Sequence, residues 1–88
     1  MNIINHEKFV IKEVKSNFLT LEIYENKVID ENDIHHIYRG YKDLVGDNYY
    51  VVAVYANPFS SISPKAREIA AEQYFSIKRK KVALISAN

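Results

Sequence analysis

Residues Tyr49 to Ala56, YYVVAVYA, are apolar at every position of both alternating faces except for tyrosine hydroxyls, the pattern of a strand covered on both sides near the centre of a sheet. Asn57-Pro58-Phe59-Ser60-Ser61-Ile62 leaves that strand, and Ser63-Pro64 opens a helix with serine as N-cap and proline at the first helical position. Ala66, Ile69, Ala70, Gln73, Tyr74 and Ile77 fall on one stripe of this helix, and its alanines suggest a close approach to the sheet. Lys78-Arg79-Lys80-Lys81 is read as the helix end, where cations complement the helix dipole, and Val82 to Ala87 as a last strand. A buried strand that feeds a helix and then another strand is the repeating unit of an α/β fold.

The N-terminal half supplies the rest of the sheet. Phe9 to Val14 and Asn17 to Glu25 are β-branched and aromatic runs separated by Lys15-Ser16, which predicts an antiparallel hairpin. In the second run Leu19, Leu21 and Ile23 share one face, while Phe18, Thr20, Glu22 and Tyr24 share a wetter one, as on an outer strand. Asp30-Glu31-Asn32-Asp33 offers an N-cap oxygen and negative charge to a helix start. Ile34, Ile37, Tyr38, Tyr41, Leu44 and Val45 then recur on a 3.6-residue period until Gly46, a residue suited to a C-terminal cap. Gly40 lies inside this helix, at a cost of roughly 1 kcal/mol relative to alanine, and the sequence gives no reason for it. The expected order is β-β-α-β-α-β in one domain over residues 1–88, a mixed sheet with an antiparallel opening hairpin and parallel later strands joined by right-handed crossovers.

Composition narrows the function classes. At 88 residues, 48% hydrophobic and 26% charged, the chain has the make-up of an ordinary folded domain. It has no cysteine, which removes thiol chemistry, disulfide scaffolds and zinc fingers and fits a reducing, cytoplasmic compartment. The opening MNIINHEKFV lacks the form of a signal peptide, and no apolar stretch approaches the ~20 residues needed to span a bilayer. A net charge of +1 supplies no general attraction to nucleic acid or anionic lipid. The distribution is polar: residues 65–81 carry six cations and two anions, and residues 1–64 six cations and nine anions.

No residue is singled out as catalytic, because the chain has no glycine-rich phosphate loop, no serine nucleophile elbow and no His-Glu-x-x-His motif. No cofactor is expected. Of the histidines, His6 sits near a terminus expected to be mobile. His35 and His36 are adjacent on a helix and about 100° apart around its axis, so no metal is assigned to them. Seven tyrosines are assigned mostly to packing, with Tyr24 the expected exposed exception. The remaining place for chemistry is the loop Asn57 to Ser63, at the carboxyl end of the central strand and the start of a helix, where open α/β sheets bind ligands and anions find free N–H groups. Asn57, Ser60, Ser61 and Ser63 with Lys65 and Arg67 are the ligand or phosphorylation candidates. A capped loop without a ligand explains the same residues.

The antiparallel opening strands, the acid-capped helix, Tyr-Tyr-Val-Val-Ala-Val, Ser-Pro-Lys-Ala-Arg-Glu opening an alanine-rich helix, and Val-Ala-Leu-Ile together resemble the sulfate-transporter and anti-sigma-factor-antagonist (STAS) domains. The likeness is to small stand-alone bacterial proteins of that kind and spans residues 9–87. It implies a regulatory binding module rather than an enzyme, switched in some members by phosphorylation of a serine or threonine in the loop after the third strand. Ser60, Ser61 and Ser63 occupy that loop. The family's switch residue directly follows an aspartate, and here the loop offers Asn57 instead. The family also continues past the fourth strand, whereas VALISA is apolar on both faces with nothing after it in this chain to cover it. The expectation is a further C-terminal part or a homo-oligomer covering that strand. The leading function is a non-enzymatic regulatory or protein-binding domain with a protein partner or a second copy. The rivals are an anion or small-ligand binder at the Asn57 loop and a subunit that oligomerises through its last strand.

Overall fold

The computed structural model describes residues 2–74 and 79–86. Its elements are β1 (Asn2–Asn5), β2 (Phe9–Lys15), β3 (Phe18–Ile23), β4 (Val28–Ile29), α1 (Glu31–Val45), β5 (Tyr50–Ala56), β6 (Ser61–Ile62), α2 (Pro64–Tyr74) and β7 (Arg79–Ser86). Five strands form one mixed sheet in the order β1-β2-β3-β5-β7, while β4 and β6 pair parallel in a two-stranded ladder of their own. β2 pairs antiparallel with β1 on one side and β3 on the other, and β5 pairs parallel with both β3 and β7.

The expected mixed α/β architecture with two helices is present, with three strands added. The N-terminus, expected to be mobile around His6, is instead β1, paired along its whole length with Ile4 opposite Ile11 and Asn5 opposite Val10. A four-residue strand flanked by asparagines has little intrinsic preference for extension, and it is held by pairing to a partner rather than by its own sequence. β4 and β6 are only two residues each and have no periodicity to detect. The hairpin turn is Ser16-Asn17, one residue later than expected, because Asn17 takes the left-handed conformation, φ 60°, that asparagine tolerates.

β3 is an interior strand, between β2 and β5, not an outer one. Its wetter face lies on the side where no described helix packs, rather than at an edge. The same correction applies to β5. Both crossovers run in one direction across the sheet, so right-handed connections place both helices on one face. Leu19, Leu21, Ile23 and Val52 there are buried in one cluster with Ile34, Ile37, Tyr41 and Ala66 from the helices. Val51 and Tyr55 face the opposite side, where no described helix lies. The shortest dimension of the molecule, 20 Å, is the depth of one sheet and one helix layer. Each large core side chain removed from water contributes about 1.5–3 kcal/mol.

α1 begins as its acids predict. Asp30 Oδ1 accepts the Asp33 N–H at 3.0 Å and Asp33 Oδ2 accepts the Asp30 N–H at 2.9 Å, a reciprocal capping box. At its other end Gly46 has φ 63° and ψ −129° and donates its N–H to the Lys42 carbonyl at 2.8 Å. Gly40 also has its reason. A Cβ there would lie 2.7 Å from Ile11 Cδ1 and 3.4 Å from Ile4 Cδ1, so the missing side chain lets α1 settle onto β1 and β2.

The C-terminal basic run is placed differently from expectation. Arg79, Lys80 and Lys81 are the first residues of β7, with Arg79 opposite Tyr50 and Lys81 opposite Val51, because the ladder follows β5 along its full length. Ile77 and Lys78, assigned to the second helix, and Ala87, assigned to the last strand, lie outside the described residues.

Candidate functional site

The sheet face away from the helices carries Ile3 from β1, Val10 and Lys12 from β2, Phe18, Thr20 and Glu22 from β3, and Val51, Ala53 and Tyr55 from β5. Register fixes this grouping: Lys12 lies between Ile3 and Thr20, and Thr20 between Lys12 and Ala53. Small side chains close the floor, since Val10 and Ala53 are buried with no described helix over them. Val14 and Tyr55 stand above it, 44% and 37% exposed. Between them is a groove of about 370 Å³, walled by Val10, Val14 and Tyr55, with Lys12, Thr20, Glu22 and Asn57 as its polar members. Of these only Asn57 was a candidate from sequence. The signal available for the others was the polar alternation of β3, Thr20 and Glu22, which marks an uncovered face but not a concave one.

The Asn57 to Ser63 loop adjoins this groove, and most of its polar groups are engaged within the chain. Asn57 Nδ2 donates to Glu22 Oε2 at 3.0 Å and to the Ile23 carbonyl at 2.8 Å. Ser60 Oγ donates to the Asn57 carbonyl at 2.6 Å. Ser63 Oγ accepts the Ala66 N–H at 3.2 Å, the N-cap that Ser-Pro predicts. The Ser61 and Ser63 N–H groups donate to the Lys27 and Ile29 carbonyls. Ser61 is exposed at the surface, as are Lys65 and Arg67. Lys65 Nζ lies 3.6 Å from Glu68 Oε2 on the outside of α2. The structure brings Asn57 and Ser60 into one hydrogen-bonded turn, sets Ser63 apart as the N-cap of α2, and leaves Lys65 and Arg67 on the helix surface.

A second cluster, unexpected from sequence, sits at the start of α1. Lys8 Nζ donates to Asp33 Oδ2 at 2.7 Å and to the Val28 carbonyl at 3.0 Å. Burial works to raise the Asp33 pKa, but the Lys8 hydrogen bond, the Asp30 groups and the Lys8 charge outweigh it and hold the carboxyl below its ordinary 3.8. The hydrogen bond to Asp33 raises Lys8 above 10.5, against a smaller opposing effect of burial. His6 stacks on Phe9 with ring centres 4.3 Å apart, and its ring centre lies 5.6 Å from that of His36. His6 Nδ1 accepts the Lys8 N–H at 3.2 Å, which leaves Nε2 to carry the ring proton, 4.0 Å from Asp33 Oδ1. The cluster ties the β1–β2 connection to the helix start. Among the described residues no three histidine, aspartate or glutamate side chains converge to hold a metal ion.

The tyrosines divide differently from expectation. Tyr41 and Tyr50 are buried and 5.6 Å apart between ring centres, and Tyr38 meets Tyr41 edge-on. Tyr24 is half-buried. The exposed ones are Tyr49, just before β5, and Tyr55 at the groove. Among the described residues no helix is long and apolar enough to cross a membrane. Compared with known proteins, the chain matches no family model, no curated protein and no solved structure.

Proposed function

We propose that this chain is a non-enzymatic, STAS-like regulatory module of the bacterial cytoplasm that works by binding a polypeptide on the open face of its sheet. The observation that carries the reading is that face: strands with no helix over them among the described residues, an apolar groove, and a cation and a carboxylate beside it. Such a surface suits side chains of a folded or extended partner, which supply an apolar contact ringed by polar ones. The neighbouring loop supports the same choice over an anion site, because Asn57, Ser60 and Ser63 already have hydrogen-bond partners within the chain.

The test is a photo-crosslinking side chain introduced at Thr20 in the groove or at Arg39 on the exposed side of α1, irradiated in native lysate. Polypeptide adducts, including adducts to the chain itself, form at position 20 and not at position 39. Equal labelling at both positions, or none at position 20, sinks the reading. Amide shifts on titration with inorganic phosphate or nucleotides, saturable and confined to residues 57–63, would instead favour the anion binder.

A further inference from the structure

The fold engages the acids of its hairpin and leaves the lysines unmatched. β2 and β3 carry two carboxylates, and both have partners within the chain. Glu13 accepts from the Asn2 amide at 3.2 Å and from the Asn17 N–H at 3.3 Å, and Glu22 accepts from the Asn57 amide at 3.0 Å. Neither Lys12 nor Lys15 has an ion pair or a side-chain hydrogen bond among the described residues. Lys15 Nζ lies over the Phe18 ring, 5.6 Å from its centre, and the half-buried Lys12 lines the groove. Glu13 is opposite Leu19, on the helix side, whereas Lys12, Lys15 and Glu22 are opposite the open-face residues Thr20, Phe18 and Val10. The open face of the hairpin is thus left with spare positive charge, within residues 1–64 where nine anions outnumber six cations. A half-buried ammonium without a counter-charge favours a partner that brings an anion.

Register gives the groove its shape. Val10, Glu22 and Tyr55 form one row across three strands, Lys15, Phe18 and Val51 form another, and Lys12, Thr20 and Ala53 lie between them. Threonine and alanine are short, so the middle row is a trough across the strands with Lys12 at one end. An extended segment repeats its side chains on one face every ~7 Å, and neighbouring strands of the sheet are ~5 Å apart. A carboxylate that meets Lys12 therefore sets the side chain two residues along its own segment between Thr20 and Tyr55. We infer that the polypeptide bound by the open face is an acidic, apolar segment: an aspartate or glutamate that pairs with Lys12, and an apolar side chain next but one that fills the groove against Val10 and Tyr55. The inference rests on the reading of the open face as a polypeptide-binding surface and names the partner's chemistry.

A nucleic acid would also bring anions, but it repeats a phosphate at every nucleotide and calls for a track of cations beside stacked bases. Lys12 is the one cation that lines this groove, and Glu22 stands in the row beside it. A single carboxylate fits that arrangement and a run of phosphates does not. The groove, at about 370 Å³, has room for an apolar side chain, since a cavity of roughly 150 Å³ accommodates benzene.

Panning a random-peptide display library on the immobilised full chain tests this. The wild-type chain enriches peptides in which Asp or Glu stands next but one to Leu, Ile, Val or Phe, and Lys12→Glu enriches Lys or Arg in the acid's place with the apolar residue kept. A synthetic peptide from the wild-type pool binds Lys12→Met about fivefold more weakly, the worth of one well-placed ion pair, while Lys12→Arg, which keeps the charge, retains binding. The same peptide binds Glu22→Gln about twofold more tightly, because the amide oxygen still accepts from Asn57 and the repelling charge is gone. A wild-type pool rich in apolar residues but indifferent to acids, or a Lys12→Glu pool with the acid preference of wild type, overturns the inference and leaves the polypeptide-binding reading standing. Displacement of the selected peptide by a short oligothymidylate at equal concentration overturns it in favour of nucleic acid. Enrichment of no peptide by either chain also overturns it, and the polypeptide-binding reading fails with it if the crosslinking side chain at position 20 forms no adducts.

Discussion

The two faces of the sheet are made from the same strands and obey different rules. On the helix side Leu19, Leu21, Ile23 and Val52 are sealed under Ile34, Ile37, Tyr41 and Ala66, and even a glycine is fitted to its neighbours. On the open side Lys12, Thr20 and Glu22 alternate with Val14 and Tyr55, and a groove is left between them. The covered face has one arrangement of side chains, set by close packing. The open face is held by its ladders with no described helix packed over it, which leaves side chains such as Tyr55 exposed to a partner. Stability and recognition are thereby assigned to opposite sides of one layer.

The largest break in that comparison comes from the covered side. Leu19 is fully buried, and Leu19→Ala removes apolar contact and leaves a cavity under two helices. Unfolding in urea should show a loss of about 3–4 kcal/mol, a large part of the total stability of a chain this short. A loss under 1 kcal/mol would mean that the face is less tightly sealed than its burial indicates.

Next in size is the clasp at the start of α1. Asp33→Ala removes half of the capping box and the partner of Lys8, and it should cost about 1–2 kcal/mol at pH 7. The pH dependence has a definite sign. Because the folded Asp33 pKa lies below 3.8, its contribution is fully present above the unfolded value and is lost as pH falls through the folded one. Lys8, raised above 10.5, contributes below that value and loses its contribution as pH rises through the folded pKa. Acid titration of stability should therefore fall less steeply below about pH 4 in Asp33→Asn than in wild type. Identical acid limbs would remove Asp33 from the account.

These two regions were not equally legible in the sequence. The stripe of α1, its acid cap, the Ser63 N-cap and the apolar run of β5 are local signals, and each sits where its residues predict. The Lys8–Asp33 bond spans 25 residues and no spacing rule connects its ends. β1 exists only because Ile4 finds Ile11 and Gly40, so its short polar-flanked sequence reads as a tail. The open face is hidden in the sequence for a different reason. An apolar strand looks the same whether helices cover both its faces or one, and the run of β5 implies a second layer that the two same-side crossovers do not supply. Asn57 marked the neighbourhood of the groove, but its concavity depends on Val10 and Val14 from a strand about 45 residues away in sequence.

Gly40→Ala tests the fit of α1 against β2 at smaller scale. Alanine gains roughly 1 kcal/mol of helix propensity, yet its Cβ would meet Ile11 Cδ1 at 2.7 Å. Ile11 is itself fully buried, so its terminal methyl has little space to retreat into, and overpacking costs about 1–3 kcal/mol. The net expectation is a chain about 1 kcal/mol less stable by thermal unfolding. A gain in stability would show that Ile11 can change rotamer and that the covered face has slack.

The smallest expected effect is the most specific to the open side. Val14 is 44% exposed at the end of β2, beside a register shift between Glu13 and Lys15. Val14→Thr keeps the β-branched shape and strand preference and replaces a methyl with a hydroxyl that water can solvate. Monomer stability, measured at concentrations too low for association, should change by less than about 0.5 kcal/mol. The same hydroxyl placed in a groove filled by a partner's apolar side chain would be desolvated without a hydrogen bond, which disfavours the filled state. Equal stability with weaker association therefore assigns Val14 to recognition, whereas a stability loss as large as that of Leu19→Ala would erase the distinction between the two faces.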